Sequence, residues 1–320
     1  MLSTFRQNGE TEIQKEGRFR CQPHCNRDRL ENQALLVCKS STMVFITEFR
    51  ILLPMTPDEC RIGHLYAIDE ASRDETGGGE GVEIVENVPF DATRFPVVNT
   101  LSGQPKKITK GQYTHKIYHV ASKVPAFIRL LAPKGSLEIH EKSWNCFPFV
   151  RTEISNPDYM KDGMKFTIDT IYAEGKGEEE NIHELPPDLL CQRQIDFIDI
   201  AKDAVSQADY KEDEDPTKFT SEKTGRGPLV GDWKETQNPI MCCYKLVSFE
   251  FMWWGLQTKV EGVMKRAERR ILLNLHRKLF CRMDKWHGMT IEDIRAMEEK
   301  TKEDLQKMLQ KGDVRGMVEK

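Results

Sequence analysis

No apolar run in this 320-residue chain approaches the ~20 residues that a membrane-spanning helix needs. The first residues carry no signal-peptide h-region. The nine cysteines follow no regular disulfide spacing, and their odd number fits free thiols in a reducing, cytosolic setting. Positive charge is not in excess: the formal net charge is −4, which argues against nucleic-acid binding driven by global charge. HExxH, GxSxG and kinase signatures are absent. The Gly-rich stretch DETGGGEG (74–81) lacks the Gly-Lys-Ser/Thr of a phosphate-binding loop and precedes a strand, so it reads as a turn. His115 and His119 lie four apart on an alternating segment, about 13 Å along a strand, too far to share one metal. Cys21, His24 and Cys25 (CQPHC) have the residue types of a metal half-site, but no second pair follows at suitable spacing. Cys146, Cys242 and Cys243 sit in strand contexts, where buried structural thiols are usual. Nothing here points to an enzyme, a metal or a catalytic cofactor.

What is present is an ordinary core-forming composition, 38% hydrophobic and 31% charged. Residues 1–42 are polar and aperiodic, apart from QALLVC, and read as a disordered or weakly ordered extension. Residues 43–316 read as one unit and 317–320 as a tail. A strand is expected from Met43 (MVFITEFRILL). Thr56-Pro-Asp-Glu59 then opens a helix to about Ser72, with Thr as N-cap, Pro at the first helical position and Glu three residues on. Strands are expected at 82–87, at 113–120, in 136–145, and at 146–155, 164–174, 191–201 and 241–254; residues 88–110 read as a long loop. Residues 209–233 lack a period and read as an ordered surface or regulatory connection. From Gln257 to Lys285 a helix carries the stripe Val260, Met264, Ala267, Ile271, Leu275, Leu279. A basic excess marks the same helix. Gly288 breaks it, and Thr290-Ile-Glu-Asp293 opens another. Strands followed by helices predict an α+β fold with a mainly antiparallel sheet.

Two stretches resist a bland reading. Between the alternating runs YTHKIYHV and SLEIHEKSWN lies VPAFIRLLAP, too long and apolar for a solvated turn. A core helix explains it, and so does a cover for a membrane or ligand. Trp253 and Trp254 are adjacent at a strand end, where successive side chains face opposite ways. Core packing accounts for the pair, as does insertion at a bilayer interface.

At TGGGEGVEI, GQYTHKIYH, HEKSWN, KTGRGPL, MWWGLQ and MEEKTK the chain resembles the class I phosphatidylinositol transfer proteins, from about Met43 to Gly316. The extension 1–42 and the middle of the 88–110 loop fall outside the resemblance. It implies a START-like fold, a curved sheet and long helices enclosing one phospholipid as cargo, head inward. It implies inositol contacts from Thr114, Lys116, Glu141 and Asn145, and phosphate contacts from Thr152, Thr170 and Lys245. A Gln typical of the phosphate contacts is His64 here, and a nearby Ser is Ala67. His64 keeps a hydrogen-bonding ring and introduces an expected pH dependence between about pH 5.5 and about pH 8. Trp253 and Trp254 correspond to a membrane-docking pair. The apolar flap with Lys123 and Pro133 corresponds to a mobile lipid-exchange region. Glu298 matches a helix associated with phosphatidylinositol handling, and Ser221 and Thr224 match a phosphorylated segment. Val150 and Leu275 stand where relatives that also carry phosphatidylcholine have Cys and Phe, which alters the cavity's shape.

The resemblance therefore implies a monomeric cytoplasmic carrier in transient contact with membranes. It would exchange phosphatidylinositol and a second lipid such as phosphatidylcholine, with no nucleic-acid partner. The alternative is a sensor or adaptor that presents its lipid to a lipid kinase, docking through the basic helix and the 209–233 segment.

Overall fold

The computed structural model describes residues 45–316, except 92, 94–97, 104, 107–108, 123–129, 131–136, 159 and 252–256. Cys21, His24, Cys25, Lys123, Pro133, Trp253, Trp254 and the extension 1–42 lie outside the described residues.

Eight strands form one sheet in the order β2-β5-β6-β7-β8-β10-β1-β9. They are β1 (Phe45–Leu53), β2 (Gly81–Asp91), β5 (Lys110–His119), β6 (Glu138–Cys146), β7 (Phe149–Ser155), β8 (Met164–Glu174), β9 (Gln194–Ile198) and β10 (Met241–Phe251). The small pair β3 (Val98–Asn99) and β4 (Pro105–Lys106) stands apart from it. Neighbours in the large sheet are antiparallel except β1 and β9, which run parallel. Three long helices accompany the sheet: α1 (Pro57–Asp74), α2 (Gln257–Cys281) and α3 (Ile291–Leu309). This is the expected α+β class, with an open and mostly antiparallel sheet consistent with a START-like arrangement.

The helix starts follow from local chemistry. Thr56 accepts from the Glu59 N–H while the Glu59 carboxylate accepts from Thr56, and Thr290 and Asp293 repeat the arrangement at α3. Gly288, with φ +91, ends the preceding helical segment in the left-handed region. Gly63 lets α1 approach Trp286 closely: an added Cβ would stand 2.7 Å from its ring.

Alternation along the strands separates two faces. The inner face carries Phe49, Ile51, Phe166, Tyr172, Cys243 and Phe249, which join residues of α1 and α2 in the main core. The outer face carries braced charges beside two smaller apolar clusters. Glu48, fully buried, holds Arg50 at 2.6 Å and Arg193 at 2.8 Å, and Arg50 also donates to the Gly177 and Glu179 carbonyls. Arg151 grips Asp169 with two bonds of 2.9 Å between directly opposed residues of β7 and β8. Part of the 88–110 segment packs on this same outer side. Leu101 lies with Ile46 and Leu246, and the Lys106 ammonium sits 4.7 Å from the Phe149 ring centre.

Three sequence expectations change. Residues 88–110 are not one long loop: β2 runs on to Asp91, β3 and β4 lie within them, and β5 begins at Lys110. The strand expected over 191–201 shortens to Gln194–Ile198. The buried stripe of α2 holds in part: Met264, Leu275 and Leu279 pack on the core as expected, but Ile271 is 44% exposed, and Glu268, Leu272 and His276 also face inward, while the Val260 side chain lies outside the described residues. Counting apolar residues alone missed part of the face, because two inward positions are polar.

Four cations of α2 are neutralised by the chain. Arg269 pairs with Asp196 and Asp203, Arg270 with Asp209, Arg277 with Asp215, and Lys278 with Asp74 and Glu214. Arg282, just beyond, pairs with Glu70 and Asp213. These contacts explain how 203–215 stays ordered with little regular structure: its acids are matched to helix cations.

Candidate functional site

Directly paired residues of neighbouring strands share a face, so the register assembles the inner surface in rows. One row runs Lys245, Thr170, Val150, Asn145, Gln112 across β10, β8, β7, β6 and β5. The next runs Val247, Ile168, Thr152, Ser143, Thr114 and reaches Asn87 on β2. The third runs Phe249, Phe166, Ile154, Glu141, Lys116. The seven strand residues singled out from the sequence, Thr114, Lys116, Glu141, Asn145, Thr152, Thr170 and Lys245, therefore all lie on one face within three adjacent rows. Residues 131 positions apart along the chain are gathered by pairing alone.

Their contacts are sparse for buried charges. Lys116 is 8% exposed and its ammonium stands 4.0 Å from the Glu141 carboxylate. Lys245 is 6% exposed, with the Thr170 hydroxyl 3.4 Å from its ammonium. Glu141 also accepts from the Tyr118 phenol at 2.9 Å. The Ser143 and Thr152 hydroxyls lie 3.2 Å apart. Buried ammonium groups ordinarily require closer and more numerous acceptors.

His64 projects from α1 over β8, where its Nδ1 meets the Tyr172 hydroxyl. Tyr172 has no other acceptor among the described residues, so it donates, and the neutral ring then carries its proton on Nε2. Burial, followed by the charges of Lys245, His276 and Lys116, holds its pKa well below 6.5. The expected titration of His64 between about pH 5.5 and about pH 8 is therefore corrected: the ring stays neutral across that window. Ala67 is buried beside it on the same helix.

Glu298 of α3 accepts from the Asn87 amide at 2.9 Å, and the Asn87 carbonyl accepts from Gln112 at 2.7 Å. Gln112 opposes Asn145, so this chain of amides links α3 to the first row. Val150 lies between Asn145 and Thr170, and Leu275 packs on the main core from α2. Ser221 and Thr224 are not on this face. The Ser221 hydroxyl is buried and donates to Asp284 at 2.5 Å, while the Thr224 hydroxyl donates to Ser221 at 2.8 Å. An enzyme that modifies Ser221 must first lift this turn from Asp284.

Sequence reasoning missed three polar groups of the same interior. Glu268 of α2 is 9% exposed and lines an apolar space with Thr47, Phe49, Phe166 and Val247. Burial pushes its carboxyl up to about 7, with Lys245 opposing the rise and Glu141 adding to it. His276 is fully buried; its Nδ1 donates to the Leu272 carbonyl at 2.7 Å, leaving Nε2 without a partner. Burial and Lys245 lower its pKa to about 3. Thr47 Oγ1 is likewise buried and unpartnered. The available signal was spacing: Glu268 lies four residues from both Met264 and Leu272, and His276 four beyond.

The site thus joins hydroxyls, an amide, a carboxylate and two cations on one side of an apolar interior. Such a set suits a ligand with hydroxyls, an anionic group and an apolar body. No helix among the described residues is long and apolar enough to cross a membrane. Comparison with known proteins points to the same chemistry. The sequence profile of the family described as "Phosphatidylinositol transfer protein" matches residues 44–303. The chain is 50% identical over 280 residues to the phosphatidylinositol transfer protein beta isoform of Rattus norvegicus, covering 86% of this chain and 98% of that protein. It is 42% identical to phosphatidylinositol transfer protein 1 of Dictyostelium discoideum, covering 87% of this chain and 100% of that one. Identity to the cytoplasmic phosphatidylinositol transfer protein 1 of Drosophila melanogaster is 44%, over 80% of this chain and 88% of the relative. The chain belongs to the class I phosphatidylinositol transfer protein family.

Proposed function

We propose that this protein is a carrier that holds one phosphatidylinositol and exchanges it, and a second lipid such as phosphatidylcholine, between membranes without making or breaking a covalent bond. The observation that carries this reading is the pair of buried ammonium groups, Lys116 and Lys245, whose acceptors among the described residues stand at 4.0 Å and 3.4 Å. An anionic phosphate between the rows would complete their coordination. In this reading Thr114, Lys116, Glu141 and Asn145 meet the inositol hydroxyls, while Thr152, Thr170, Lys245 and the Nε2–H of His64 meet the phosphate. A site built for those hydroxyls rejects a headgroup lacking them, because its own buried polar groups would go unpaired. Glu298, through Asn87 and Gln112, holds Asn145's neighbourhood in place.

Carriage through water demands enclosure. A diacyl lipid has on the order of 30 CH₂ groups at about 0.8 kcal/mol each, so exposing both chains would cost roughly 20 kcal/mol or more. The apolar segment containing Lys123 and Pro133 is assigned as the cover that opens at a membrane, and Trp253 and Trp254 as the docking pair. The protein would act as a cytoplasmic monomer in transient membrane contact. The presenting-adaptor reading has less support, because Arg269, Arg270 and Lys278, three of the α2 cations in its docking surface, are already paired within the chain. Native mass spectrometry of the protein purified from cells tests the proposal. Bound phosphatidylinositol is expected; bound lipids without any inositol lipid would refute it.

A further inference from the structure

A cleft of about 280 Å³ opens where α3 ends against the Gly-rich turn before β2, lined by Thr76, Gly77, Lys307, Met308, Lys311 and Arg315 among others. Its lining holds three cations and no carboxylate. None of the three is in an ion pair among the described residues, in contrast to Arg269, Arg270 and Lys278 of α2. The basic segment is pressed onto the turn. A Cβ on Gly77 would stand 2.6 Å from the Asp313 carbonyl oxygen, one on Gly78 would stand 2.5 Å from the Val314 nitrogen, and Gly78 donates to the Lys311 carbonyl at 3.2 Å. The plainest reading is that Lys307 complements the negative end of the α3 dipole. That account does not reach Lys311 and Arg315, which follow the last helical residue, Leu309.

The position of the cleft indicates its ligand. Its turn leads into Gly81, which pairs with His119 at the end of β5. His119 opposes Glu138, and through the register Ser155, Met164 and Phe251 end at the same side of the sheet. The β5–β6 and β10–α2 connections both leave from this rim. Glu80, in the turn, accepts from the Ser122 backbone and hydroxyl at 2.9 and 2.6 Å, at the start of the β5–β6 connection. We propose that the cleft docks the phosphate of an anionic phospholipid in the membrane surface while exchange proceeds at the adjoining rim. This rests on the carrier reading.

The test compares the unmodified protein, the triple variant Lys307→Ala, Lys311→Ala, Arg315→Ala, and a control lacking the exposed Lys176, Lys202 and Lys218. Partitioning is measured onto vesicles of phosphatidylcholine with phosphatidylglycerol and onto phosphatidylcholine alone, with circular dichroism as the check on folding. A surface cation contributes roughly fivefold in partitioning, so the cleft variant is expected to lose about a hundredfold on anionic vesicles. The control loses far less, and the cleft variant still transfers phosphatidylinositol between neutral vesicles. Equal loss in the control would reduce the effect to general surface charge and overturn the proposal, as would unchanged partitioning. Competition by soluble glycerol phosphate as strong as that by vesicles would overturn the membrane source. Absence of transfer by the unmodified protein between neutral vesicles would strike the carrier reading instead.

Discussion

Replacing Glu268 with Gln removes one component of the protein's pH dependence. The carboxyl sits at about 7 instead of 4.5, chiefly because burial disfavours the ion, with Lys245 opposing the rise and Glu141 adding to it. Between those values the folded chain keeps the proton and the unfolded chain has released it. The contribution is therefore fully present below pH 4.5 and is lost as pH rises through about 7. Its size is the difference of about 2.5 at about 1.36 kcal/mol each, roughly 3 kcal/mol. Gln preserves the shape and removes the titration. Urea unfolding of both proteins from pH 4.5 to above pH 7 reads the effect. The Gln variant gains on the parent by roughly 3 kcal/mol across that span, and the gap closes toward the acid end. A gap independent of pH would refute the reasoning, because it would mean that Glu268 is ionised throughout or titrates alike in both states.

Other consequences are as direct. Glu48→Ala leaves the guanidinium groups of Arg50 and Arg193 without their shared buried carboxylate, and should lower unfolding stability by about 3–5 kcal/mol in urea titrations. Gly63→Ala drives a methyl into the Trp286 ring and should destabilise by about 1–3 kcal/mol, read as a lower thermal midpoint. Because His64 is held neutral, phosphatidylinositol binding should show no inflection attributable to it between about pH 5.5 and about pH 8; an inflection removed by His64→Gln would contradict the assignment.

Much of the fold was visible in the residues themselves. The alternation of MKFTIDTIYAE and the capping signals at Thr56 and Thr290 fixed local structure without help from distant contacts. The strand residues drawn from the resemblance share one face because the register places them there, but no local pattern could pair Lys245 with Thr170 or His64 with Tyr172. The inward face of α2 shows why the rest stayed hidden. A hydrophobic count assumes that inward means apolar, and a helix facing a polar site breaks that assumption at Glu268 and His276. Order in 203–215 was also invisible, since it comes from acids meeting α2 cations more than 60 residues away, as Asp209 meets Arg270.

The central claim is that the polar rows of the inner face select an inositol headgroup in a lipid carrier. Parallel transfer assays of labelled phosphatidylinositol and phosphatidylcholine between vesicles, with the unmodified protein and Asn145→Ala, test it most directly. The account predicts that the variant loses phosphatidylinositol transfer and keeps phosphatidylcholine transfer. An equal fall for both lipids would contradict it.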